Sequence, residues 1–145
     1  MAAKKVVEAA ILINAGQYER ALAVSNDIVE LGNYEWYGQL YSVVALIELQ
    51  QFDAANARAD KMAAIFSDDD ILPQQFLPIY LLAKKLGGDF DQAILPLQKG
   101  ELPLYVAQAI QAVQSGGAVC FPLISTTERR SAYTTFNHKK CLTDR

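Results

Sequence analysis

Shifted by 34 residues, the chain superimposes on itself, and this self-similarity constrains its fold more than any other feature of the sequence. Gln17-Tyr18-Glu19-Arg20-Ala21 falls on Gln51-Phe52-Asp53-Ala54-Ala55, Leu12-Ile13 on Leu46-Ile47, and Ala23 on Ala57. A further shift of 38 lays Phe52-Asp53 and Ala55 on Phe90-Asp91 and Ala93. An aromatic, an acidic residue and an alanine thus recur three times in one register. The pattern describes a helix that ends, a short turn, and a second helix opened by an aromatic that packs back on the first. The alanine lets the two backbones approach closely. Gly16 supplies the first turn and Gly87-Gly88 the third, while Gln50-Gln51 makes the second without glycine.

Apolar spacing and punctuation then predict helices at 3–15, 18–31, 35–49, 52–66, 74–86, 90–99 and 103–114. Val24, Ile28 and Leu31 mark one apolar stripe, and Val43, Leu46, Ile47 and Leu49 another. Gly32-Asn33 separates the first pair from the second, and Ser67-Asp68-Asp69-Asp70 lengthens the link to the third. Pro73 and Pro78 fall near the start of a helix, where proline is tolerated. Pro96 lies inside one and should shorten or kink it. The segment from Leu104 to Gln114 reads as a solitary helix closing the stack, with Val106, Ala109, Ile110 and Val113 as its apolar stripe.

Over residues 3–114 the chain resembles the tetratricopeptide repeat family. The motif stands as G-x-Y-E-x-A at Gly16 to Ala21, Q-x-F-D-x-A at Gln50 to Ala55 and G-x-F-D-x-A at Gly88 to Ala93. Ala9 fills the small position of the first unit, whereas Glu8 and Ser42 stand where the family has leucine. The resemblance implies an all-α fold, a right-handed superhelix of about three helix-turn-helix pairs plus a capping helix and an irregular tail. It implies a concave groove lined by the first helix of each pair, used to bind a peptide or protein segment without catalysis or cofactor. The Lys, Arg and Asn clamp with which some members hold a chaperone carboxylate is missing, because Val6, Ala10, Val44 and Leu82 occupy those positions.

The groove residues expected on this basis are Tyr37, Leu40, Tyr41, Val44 and Glu48 from the second unit, joined by Asn14 and Leu82. Tyrosine suits an interface because it buries area while keeping a polar tip. Glu48 and Lys85 would add selectivity. Helical periodicity leaves two uses open for each tyrosine, as a groove residue or as packing between repeats. The cluster of Tyr34, Trp36 and Tyr37 likewise reads as a core plug or a partner anchor, with the core the favoured use.

Charge narrows the partners. Residues 1–117 carry eight Lys/Arg against fourteen Asp/Glu, and residues 118–145 carry five against two. An acidic body argues against nucleic acid, whose phosphates need a basic face. No apolar stretch is long enough to span a bilayer. Lys4-Lys5 precedes apolar residues, but Glu8 and Asn14 interrupt them before any cleavage site, so a cytoplasmic location is expected. The expected partner is a protein or peptide, a second copy of the chain included. The alternative is a regulatory or sensory domain belonging to a larger signalling or transcription-regulating protein.

The composition changes after Gly116-Gly117, dividing the chain into a repeat domain at 1–117 and an irregular tail at 118–145. The tail is expected to be loosely ordered and removable, with a strand at Ala118 to Ser125; a truncated or out-of-frame end has this kind of composition. Cys120 and Cys141 form no CxxC pair and are expected as free thiols. With His138 they offer three metal ligands at a spacing that matches no common zinc pattern. Asp68-Asp69-Asp70 lacks the alternate ligand spacing of a calcium loop and reads as a solvated turn. Lys84-Lys85 reads as a solvated last helical turn. No catalytic residue or metal site is assigned, and an enzyme is not expected.

Overall fold

The computed structural model describes residues 2–32, 34–65, 76–98, 102–123 and 138–142. These residues are mostly helical and pack as adjacent helix pairs. The helices are α1 (Ala2–Asn14), α2 (Tyr18–Leu31), α3 (Glu35–Glu48), α4 (Phe52–Ile65), α5 (Leu77–Leu86), α6 (Phe90–Ile94) and α7 (Leu104–Gln114). Pro96 has the expected effect, since α6 stops at Ile94 and only a 3-10 turn, Pro96–Gln98, continues it. Pro78 sits in the first turn of α5. Among the described residues, no helix is long and apolar enough to cross a membrane.

The repeat is visible in the hydrogen bonds that end the odd-numbered helices. Gly16 N–H donates to Ile13 O and Gln17 N–H to Leu12 O. Gln50 and Gln51 do the same to Ile47 and Leu46, and Gly88 and Asp89 to Lys85 and Lys84. Each is a Schellman turn, which satisfies carbonyls that a helix end would otherwise leave unpaired. Ala21, Ala55 and Ala93 then donate to Gln17, Gln51 and Asp89, so each new helix starts in the same register. A fourth copy closes α7, where Gly116 donates to Val113 and Gly117 to Ala112. The described element that follows this turn is the strand Val119–Leu123 and not a helix.

The turn needs a left-handed residue. Gly16, Gly88 and Gly116 take φ near +78°, +86° and +74°, and Gln50 takes +62° without being glycine. A Cβ in this conformation costs about 1–2 kcal/mol, part of which glycine returns through its freer unfolded chain. Gln50→Gly is therefore expected to raise stability by about 0.5–1 kcal/mol, read as a higher denaturant midpoint at unchanged slope.

Helix α3 is the centre of the molecule. It packs against α1, α2, α4 and α5, and every residue from Tyr37 to Ile47 is buried. The α2–α3 crossing is a close one, because Gly38 stands where a Cβ would meet Val29 Cγ2 at 2.8 Å and Ser25 O at 3.0 Å. Buried Ser25 and Ser42 turn their hydroxyls back to Ala21 O and Gly38 O, so neither brings an unpaired donor into the contact. Ala21, Ala55 and Ala59 are fully buried at neighbouring contacts.

Among the described residues of 118–145, two strands pack with the helices where a loosely ordered tail is expected. Val119–Leu123 forms strand β1, within the predicted strand, and His138–Leu142 forms β2. They pair antiparallel with Val119 opposite Leu142 and Cys120 opposite Cys141. Val119, Phe121 and Leu142 are buried in the same core as the helices, and β1 packs on α5 and α7. The described part of 118–145 is thus an integral ribbon and not a loose appendage. The physical reason is alternation, since β-branched and aromatic side chains at every second position fit a half-buried strand. Pro122 also prevents the helix that the fourth turn would otherwise start.

Candidate functional site

The expected groove is closed. Tyr37, Leu40, Tyr41, Val44 and Leu82 are all 3% exposed or less, so they are core and line no open surface. Four flanking helices surround α3 on all sides, and a periodicity that marks one face cannot reveal how many faces are covered. Glu48 is half-buried at the end of α3, and Asn14 is exposed at the end of α1. Burial pushes the Tyr37 phenol well above its ordinary value, with the neighbouring Tyr41 and Tyr34 adding to the shift.

Several charged and polar side chains that could have served a ligand instead tie successive helices together. Arg58 on α4 donates to Gln39 of α3 at 3.1 Å and to Asn26 of α2. Asn56 on α4 donates to Asp89 at 2.6 Å, ahead of α6. Lys84 is buried, not solvated; it pairs with Asp60 of α4 and lies 5.6 Å from the Tyr80 ring centre. Lys85 donates to Val113 O at 2.9 Å, placing a positive charge at the C-terminal end of α7, where the helix dipole favours it. It is committed to the fold and does not border a groove.

Cys120 and Cys141 are joined in a disulfide, not free. Their positions face each other directly across the ribbon, a pairing that a separation of 21 residues in sequence could not reveal. Sulfurs bonded to each other cannot serve as thiolate ligands, which removes the metal reading with His138. The run Asp68-Asp69-Asp70 lies outside the described residues, as does Pro73.

The aromatic cluster is divided by the surface. Tyr34 is 46% exposed, Trp36 half-buried and Tyr37 buried. Their rings run inward as a ladder: Tyr34 to Tyr37 at 6.4 Å, Trp36 to Tyr37 at 3.9 Å, and Tyr37 to Tyr41 at 5.8 Å. Phe76 meets Trp36 edge-on at 5.7 Å, a favoured geometry for aromatic pairs. Leu31, which is 49% exposed, lies just before the turn. Glu30 is exposed and Glu35 half-buried beside the same turn. Tyr34 itself has φ +58°, a left-handed backbone that is strained for a side chain of this size. The sequence marked the aromatics. Leu31 carries no surface signal in the sequence, because it completes the apolar stripe of α2.

Comparison with known proteins returns no matching family model, no matching curated protein and no matching solved structure.

Proposed function

We propose that the chain is a non-enzymatic protein-interaction module of tetratricopeptide-like helix pairs, holding a segment of a partner protein on the turn between α2 and α3. The observation that carries this reading is Tyr34, a large aromatic kept at the surface in a strained backbone and backed by a ladder of rings. Strain of this kind persists where the surroundings impose it and is concentrated at functional positions. A rigidly backed aromatic beside an exposed leucine supplies the anchor that dominates most interfaces. Glu30 and Glu35 border it, so the complementary segment carries an apolar side chain flanked by Lys or Arg.

The test is a double variant, Leu31→Asp with Tyr34→Asn. Asparagine tolerates the left-handed backbone, so the fold is spared while the apolar anchor is removed. Capture from native extract on wild-type and variant protein, followed by mass spectrometry, identifies what the turn holds. The expected result is a partner whose affinity drops at least about tenfold in the variant, a loss of roughly 1.4 kcal/mol, with melting essentially unchanged. A partner retained equally by both proteins places the binding surface elsewhere.

A further inference from the structure

The ribbon disulfide occupies an unusual place in this fold. Strand alternation turns Val119, Phe121 and Leu142 into the core and leaves the bridged cysteines on the other face, Cys141 exposed and Cys120 half-buried. The two strands are not held equally. β1 follows α7 directly and packs on α5 and α7, whereas β2, among the described residues, packs chiefly on β1. A two-stranded ribbon is marginal on its own in water. Among the described residues, β2 is held by five register pairs, the buried Leu142 and the disulfide. Closing a loop of this length favours the joined state by about a hundredfold.

We infer that Cys120–Cys141 is a redox-modification site, a solvent-facing latch that a dithiol reductant opens in the folded protein to release β2 while β1 and the helices stay in place. The thiolate of the reductant attacks Sγ of Cys141, the more exposed of the two cysteines. The S–S bond breaks, Cys120 leaves as a thiolate and takes up a proton, and a mixed disulfide remains on Cys141. The second thiol of the reductant then displaces Cys141, which is protonated in turn. Two electrons and two protons pass to the protein, and the reductant leaves as its own disulfide. Release uncovers Leu142 and the pairing edge of β1, so the oxidised and reduced forms present different surfaces.

Full-length oxidised protein is treated with dithiothreitol in native buffer. Alkylation and mass spectrometry follow the thiols, amide hydrogen exchange follows 119–123 and 138–142, and circular dichroism follows the helices. The expected result is complete reduction without denaturant, with exchange at 138–142 faster by about a hundredfold and the helical spectrum kept. With glutathione disulfide as oxidant, Cys120→Ser is expected to accumulate a mixed disulfide on Cys141 faster than Cys141→Ser accumulates one on Cys120. Reduction only in denaturant overturns the inference, because the bond is then a sealed cross-link. Unchanged exchange after reduction overturns it too, since the ribbon then needs no latch. Loss of the helical spectrum on reduction also overturns it, because the ribbon then opens only with the whole fold.

Discussion

Replacing Tyr41 with alanine is expected to lower the stability of the folded chain by about 3–5 kcal/mol, the range for deleting a large aromatic from a packed core. Tyr41 is fully buried at the middle of α3, and the Tyr37 ring stands 5.8 Å away. The helices around α3 are themselves pinned by tight crossings, such as Gly38 against Val29, so they cannot collapse into the space left behind. A domain of this size has only about 5–15 kcal/mol of stability in total, so the variant should unfold at a visibly lower denaturant concentration. Unfolding midpoints of Tyr41→Ala and Tyr34→Asn decide the matter together. The first should fall sharply and the second should hold or rise, although both tyrosines belong to the same aromatic ladder. A Tyr41→Ala protein that melts like wild type would show that this face of α3 opens to solvent as a groove after all.

The helices were legible in the sequence because three local signals agreed. The 34-residue register, the apolar stripes and the turn residues all placed the same boundaries. The helix predicted at 18–31 is α2 to the residue, and Pro96 ends α6 as its missing N–H and fixed ring dictate. The candidate groove was not legible for a physical reason. In an open stack the first helix of each pair keeps one face free, and Tyr37, Tyr41 and Val44 mark that face on α3. Burial of every residue from Tyr37 to Ile47 depends on how closely α1 and α5 approach from either side, which is a long-range property. The polar residues told a similar story. Lys84 and Lys85 look solvated at the end of a helix, yet their partners Asp60 and Val113 lie on other helices.

The fourth turn was hidden for the opposite reason. Gly116-Gly117 makes the same hydrogen bonds as the three turns before it, but the aromatic, acid and alanine that should follow are absent. Composition made the residues beyond it look foreign to the fold. Their alternation carried the contrary signal, since Val119 and Phe121 lie two apart and share a face. The structure uses that face to cover α5 and α7, so among the described residues a strand stands where the earlier turns are followed by a helix.

The largest effect expected of the chain's end follows from that cover. Val119, Phe121 and Leu142 are each at most 4% exposed, and full burial of such side chains contributes about 1.5–3 kcal/mol apiece. A chain ended at Gly117 loses all three, a deficit comparable with the whole stability of a small domain. It is expected to lose cooperative melting or to unfold at much lower denaturant. Phe121→Ala in the full-length oxidised protein isolates packing from chain length, because the disulfide still holds both strands together. That variant should lose about 3–5 kcal/mol by itself, provided α5 and α7 leave the cavity unfilled. If the shortened chain and Phe121→Ala both melt like wild type, the ribbon merely rests on the helices, and the core is complete at Gln114. If only the shortened chain suffers, the contribution lies in the disulfide and the pairing of the strands. Loss in both, with Phe121→Ala accounting for about half, is the outcome that makes this ribbon the last layer of the repeat stack.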